Sequence, residues 1–176
     1  MSLLHFLYRI SATALLLAAA CWAQKEYKPK EEKLPGPPVP QPIAYSHKTH
    51  VALGLKCTGC HTIPGEGFQA TYPKEAFCMG CHTTIKKESA EIRKLAAFAA
   101  KKEPVTWARI YQLPDIIWFS HAAHVKDAKI ECAACHGDVP QRDVLFKEKS
   151  ISMNTCMDCH ARQKAPNGCD VCHASQ

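Results

Sequence analysis

The pattern Cys-x-x-Cys-His occurs five times in this chain: Cys57-Thr-Gly-Cys60-His61, Cys78-Met-Gly-Cys81-His82, Cys132-Ala-Ala-Cys135-His136, Cys156-Met-Asp-Cys159-His160 and Cys169-Asp-Val-Cys172-His173. Two thiols with an imidazole at that offset form the attachment signature of a c-type haem. The thiols bond the two vinyl groups, and the adjacent imidazole becomes the proximal iron ligand. Five motifs imply five covalently bound haem c groups. Each haem then serves roughly thirty residues, too few for an ordinary core of side chains. The porphyrin faces must supply most of the buried apolar surface. The apoprotein is therefore expected not to fold, as small metal domains do not without metal.

A high cysteine count also suits a disulfide scaffold or a zinc protein. Neither explains a histidine directly after the second cysteine in all five motifs. Of the eleven cysteines only Cys21 lies outside them, within the N-terminal apolar stretch. Residues 1–23 look like an export signal: Arg9 is their one charge, and Ser11 to Ala23 is an apolar run. Three readings of this segment stand. Cys21-Trp22-Ala23 suits signal-peptidase cleavage before Gln24. Ala18-Ala19-Ala20-Cys21 is a weak lipobox that would make Cys21 an acylated N-terminus. The segment could also remain as an uncleaved anchor, although Arg9 shortens the span. All three place the body on the periplasmic side of the cytoplasmic membrane, soluble or held by lipid or helix.

The formal charge of +6 does not indicate nucleic acid. Loss of Arg9 with the leader leaves one positive charge fewer, and each haem c adds two propionates. No nucleic-acid partner is expected.

Residues 24–42 form a Lys/Glu/Pro tether, with Pro35, Pro37, Pro38, Pro40 and Pro42 favouring extended chain. The rest divides into a first haem module, 43–103, with two motifs and a connecting helix, and a second, 104–176, with three. The modules repeat one another. Tyr45-Ser46-His47-Lys48-Thr49-His50-Val51 precedes the Cys57 motif, and Phe119-Ser120-His121-Ala122-Ala123-His124-Val125 precedes the Cys132 motif. Between them, Ser89 to Lys102 reads as an amphipathic helix capped by Ser89, with Ile92, Leu95, Ala96 and Ala99 on one face and a solvated polar face opposite. Trp107 to Phe119 reads as extended and is broken by Pro114. The fold class is mostly irregular and small-α: tandem modules folded around haems, with few or no strands.

The histidine count is informative. Of ten, His5 lies in the leader and five are proximal: His61, His82, His136, His160 and His173. The other four, His47, His50, His121 and His124, form two His-x-x-His pairs. Residues i and i+3 share a helix face, so one turn can offer imidazoles to two neighbouring haems as distal ligands. Four distal histidines cannot serve five haems. Met79 and Met157 lie inside motifs, and Met1 lies in the leader. Met153, three residues before Cys156, is the remaining donor; the matching position before Cys78 is Glu75. A lone methionine is ordinarily a gap-filler, but here elimination and the repeat comparison favour iron ligation, Met/His being an established axial pair.

The aromatic-x-His-x-x-His openings and closely spaced motifs resemble the class III, c3/c7-type multihaem cytochromes. The stretches Trp107-Ala-Arg-Ile-Tyr-Gln-Leu-Pro-Asp115, Cys135-His-Gly137 and Ile151-Ser-Met153 are further similar to the pentahaem cytochrome c subunit of alternative complex III, a bacterial quinol-oxidising assembly. The resemblance spans about residues 40–160. It implies tandem c7-like modules and these ligand pairs: His47 with His61, His50 with His82, His121 with His136, His124 with His160. Met153 then goes to the last haem, with His173.

These readings point to electron transfer rather than enzyme chemistry. Bis-histidine haems should be low in potential, and a methionine ligand should raise the last one. The expected partners are redox proteins: a quinol-oxidising membrane complex, a soluble cytochrome or a terminal oxidase. Membrane association would run through the N-terminus. The alternative is a stand-alone periplasmic carrier. The rival from another class is a multihaem reductase with one open haem.

Overall fold

The computed structural model describes residues 32–65 and 69–173. The leader, including His5, Arg9 and Cys21, lies outside them. From Lys33 onward the chain forms one compact unit.

Short helices dominate the described residues, joined by irregular segments: α1 (His47–Ala52), α2 (Cys57–Cys60), α3 (Glu75–His82), α4 (Ala90–Lys101), a π-helix (Ala122–Asp127), α5 (Ala133–His136), a 3₁₀ turn (Val139–Gln141), α6 (Met153–Gln163) and α7 (Cys169–Cys172). No strand forms among these residues. A single antiparallel bridge joins Ile117 and His173. The mostly irregular, small-α class is what the sequence implied. Each haem motif lies in or at the end of a helical turn, in which the two cysteines, three apart, share a face.

The connecting helix is α4. The Ser89 hydroxyl accepts from the Ile92 N–H at 3.2 Å, and Lys102 ends the helix in the left-handed region at φ 57°. Leu95 is buried on its inner face with Ile43 and Val105. Cys78, Met79, Ile92, Phe98 and Trp107 pack around them. The polar face does more than meet solvent. Glu91 accepts the Ala44 N–H at 2.7 Å and pairs with Lys94 at 2.7 Å. Both contacts hold its carboxyl below the usual range, the Lys94 hydrogen bond most strongly.

The segment between α4 and the π-helix runs without helix or strand, apart from the Ile117 bridge. The end of the Pro-rich segment is not free. Gly36 N–H donates to Lys147 O at 2.7 Å and Val39 N–H to Leu145 O at 2.9 Å, while the Gln41 amide exchanges two hydrogen bonds with Ala108. The repeats also interlock: Lys48 N–H donates to Arg142 O at 3.0 Å, and Ser46 Oγ to Asp143 Oδ1 at 2.6 Å.

Beyond Ile43, Leu95, Val105 and Ala122, no described hydrophobic residue is buried. Phe77, Ile116 and Trp118 stay more than half exposed. Protein alone supplies one small cluster, on the α3–α4 side. Replacing Leu95 with Ala should cost the holoprotein about 2–4 kcal/mol, read as a lower midpoint in chemical denaturation; a shift within error would mean that this cluster contributes little.

Candidate haem sites

The two His-x-x-His segments reach similar geometry through different backbones. In the first, α1 is an α-helix capped by Ser46, whose hydroxyl accepts from Thr49 N–H at 3.0 Å. In the second, Ser120 Oγ accepts from Ala123 N–H at 3.2 Å, but the next turn widens into a π-helix in which Ala128 N–H bonds Ala123 O at 2.9 Å. Single π turns recur at functional sites. The rings keep their places in both. Tyr45 meets His47 edge-on at 4.8 Å and stacks on His50 at 4.4 Å; Phe119 meets His121 edge-on at 4.8 Å and stacks on His124 at 4.6 Å. The repeated aromatic thus separates two imidazoles and orients both.

Each of these four histidines faces one motif histidine. Ring centroids lie 6.3 Å apart for His47 and His61, 6.1 Å for His50 and His82, 6.3 Å for His121 and His136, and 5.9 Å for His124 and His160. A metal–imidazole bond is about 2 Å and the ring nitrogen lies about 1 Å from its centroid, so two imidazoles across one metal have centroids about 6 Å apart. The observed spacings leave room for one iron between each pair. His47/His61 and His121/His136 are also nearly parallel, at 11° and 8°.

The second nitrogens fit the same reading. Nδ1 of His50 faces Ser46 O at 2.8 Å, and that of His124 faces Ser120 O at 2.8 Å. Nδ1 of His61 faces Thr71 O at 2.9 Å, that of His82 Ile85 O at 3.0 Å and that of His160 Pro166 O at 2.6 Å. A carbonyl only accepts, so each Nδ1 carries the proton and each Nε2 keeps its lone pair for a metal. His47 is neutral for another reason: burial, then His61 and His50 beside it, lower its pKa to about 4. Its Nδ1 is buried without a hydrogen-bond partner. Burial likewise lowers His136, with His121 and then His61 adding to the effect. Burial, with Cys60 and Cys78 next, raises Tyr45 to about 12 and keeps the phenol protonated.

The thiols lie near one another across motifs without pairing. All ten motif cysteines are free, and no three potential ligand side chains converge on a bare metal site among the described residues. Burial raises several of the thiol pKa values, and their neighbours add to it: Cys60 acts on Cys78, Cys57 on Cys132, Cys159 on Cys135, and both Cys135 and Cys172 on Cys156.

The fifth motif differs. His173 closes its turn through a bond from its N–H to Cys169 O at 2.9 Å, and Cys172 O accepts Trp118 N–H at 2.7 Å. Met153 is the first residue of α6 and is 62% exposed. No described contact brings it to His173. Its counterpart Glu75 has other work, accepting Val105 N–H at 2.7 Å.

Sequence reasoning missed the supports of the third motif. Tyr111 meets the His136 ring edge-on at 4.7 Å and donates its hydroxyl to His136 O at 3.3 Å. The Tyr111 hydroxyl oxygen itself accepts Glu148 N–H at 2.9 Å and Lys149 N–H at 3.2 Å. Glu148 in turn binds Arg142 in a bidentate pair at 2.8 and 3.2 Å. Gly137 lies at φ 74°, where a Cβ would come within 2.5 Å of Glu148 Oε2. Its only signal in the sequence was a glycine directly after a motif histidine.

Residues 117–174 match the family described as cytochrome c7 and related cytochrome c. Over 160 aligned residues the chain is 31% identical to the multihaem cytochrome c subunit of a menaquinone reductase from Nitratidesulfovibrio vulgaris, spanning 76% of each protein. The chain belongs to the multihaem c-type cytochromes. Membership makes covalently bound haem c and electron transfer its business, and the ring spacings fit such a group. Among the described residues no helix is long and apolar enough to cross a membrane.

Gly137→Ala tests the third-motif support. Strain in the left-handed region costs about 1–3 kcal/mol, and the added methyl must also displace Glu148. A lower melting temperature for the holoprotein is expected, with a smaller loss for Gly54→Ala, where the new methyl meets open space although φ is also positive; equal losses would remove the Glu148 contact as the cause.

Proposed function

We propose that this cytochrome carries five haem c groups and passes electrons within a quinone-linked respiratory assembly on the periplasmic side of the cytoplasmic membrane. One observation carries the reading: four His-x-x-His imidazoles face four motif imidazoles at the spacing of ligands across one metal. The haems would be held through Cys57 and Cys60, Cys78 and Cys81, Cys132 and Cys135, Cys156 and Cys159, and Cys169 and Cys172. Iron would be bound by His47 and His61, His50 and His82, His121 and His136, His124 and His160, and by Met153 and His173. Haem supplies a one-electron couple and no more.

The chain's own residues decide how that couple is used. Imidazoles on both faces of four sites leave no position for substrate, which favours a carrier over a reductase. Carbonyls bound at Nδ1 fix ring orientation and raise ligand basicity. The aromatics Tyr45 and Phe119 hold paired ligands apart with little room to rotate. Met153 lies at the start of the fourth motif's helix with an exposed side chain, so its thioether can reach outward without disturbing that helix.

The relative's name attaches a similar subunit to menaquinone reduction, and the resemblance to alternative complex III attaches one to quinol oxidation. Both readings place quinone chemistry on partner subunits and leave this chain the electrons. Residues 1–23 would be the export or anchoring segment and 24–42 the tether, with the first module over 43–103 and the second over 104–176.

Intact mass spectrometry of the exported protein should give five haems per chain; four or fewer would overturn the count. In electron paramagnetic resonance the oxidised protein should be entirely low-spin, and Met153→Ala should convert one haem in five to high-spin. No conversion would remove Met153 as a ligand, and a high-spin haem in the parent protein would favour the reductase. Co-purification with a membrane assembly separates the subunit from a free-standing carrier.

A further inference from the structure

The order of the motifs along the chain is not their order in space. Motif one lies beside motif two: His47 and His50 occupy one turn, with Tyr45 between them, and Cys78 packs into the small core under that turn. Motif three lies beside motif four in the same way, through His121, His124 and Phe119. Motif five lies beside motif four. Asn167 donates to Met157 O at 3.1 Å, His160 Nδ1 to Pro166 O at 2.6 Å, and Cys156 lies within electrostatic reach of Cys172.

The remaining junction joins the two repeats. Chain order alone would put motif two against motif three, since the two are consecutive along the sequence. The structure instead brings motif one to motif three. Cys57 and Cys132 line one cleft of about 340 Å³, together with Lys56, Val125, Lys129 and Ile130. The two thiols lie within electrostatic reach of one another, as do His61 and His136. No described contact joins motif two to motif three.

We infer that the five haem sites stand in the spatial order two, one, three, four, five, so that electrons cross between the repeats at the Cys57–Cys132 junction and exchange with partners at the Cys78–His82 and Cys169–His173 ends. This rests on the five-haem reading above. Each hop oxidises one ferrous iron and reduces its ferric neighbour, with no proton or bond change. A one-electron protein donor at one end and a one-electron protein acceptor at the other complete the balance. Tunnelling falls steeply with edge separation, so the junction at which motifs one and three line one cleft is a better crossing than any longer route from motif two.

Nuclear magnetic resonance of the fully reduced, diamagnetic holoprotein tests the order without any substitution. Haem resonances can be assigned through their thioether and imidazole protons. Cross-relaxation is expected between haems one and two, one and three, three and four, and four and five, and none between two and three. Contact between haems two and three without contact between one and three would overturn the order. Because haem content is read from mass, a protein with five haems in another arrangement sinks this inference alone. A protein lacking haems sinks the reading beneath it. As a second measurement, His50→Met should raise the potential of haem two and shift the midpoint of haem one more than that of haem three; a larger shift at haem three would equally overturn it.

Discussion

The imidazole ring anchored at one nitrogen and offered at the other is the unit on which this structure depends. A backbone carbonyl at Nδ1 settles the tautomer of His50, His61, His82, His124 and His160. Four of these carbonyls lie three to six residues from the ring they hold, and that of Thr71 lies ten away. Most of these rings are therefore held by residues near them in the chain. His47 has no such partner and is kept neutral by burial and by neighbouring imidazoles instead. It lies in the turn that touches both repeats.

The two repeats show how much backbone change this unit tolerates. One uses an α-helical turn and the other a π turn, yet the ring-to-ring distances agree within a few tenths of an ångström. What both copies keep is the preceding aromatic and the serine. The aromatic stacks on the second histidine and meets the first edge-on, and the serine hydroxyl takes the N–H three residues on. Position is set by ring packing and a cap rather than by helix type. The same economy explains the thin protein core. With Ile43, Leu95 and Val105 the main buried apolar side chains among the described residues, side-chain packing leaves most of the apolar burial to covalently bound porphyrin.

Much of this was legible in the sequence because its information is local. The motifs, the repeat, the Ser89 cap and the amphipathic face of α4 are all patterns within a dozen residues. The pairing of His47 with His61 and His121 with His136 followed from a resemblance, and the ring geometry fits it. The long-range features were not legible. Nothing local shows that Tyr111 gathers the backbone of residues 136, 148 and 149, that Glu91 takes the Ala44 N–H, or that motif one meets motif three. The π turn also escaped notice. Ala122-Ala123 and Lys48-Thr49 both permit an α-helix, and the choice depends on what packs around them. For the fifth motif no contact among the described residues supplies a second ligand, and elimination with the repeat comparison points to Met153.

The clasp formed by Gly36 with Lys147 and Val39 with Leu145 has a mechanical consequence. In chain order the N-terminal strap adjoins the first repeat, but it is fastened to the second. A force applied at residue 33 reaches residues 145–147 first, then Arg142 and Glu148 through the neighbouring backbone, and the histidine turn at residue 47 only afterwards. The strap thus shields the first ligand turn from load, and whatever holds the protein by its N-terminus grips the three-motif half.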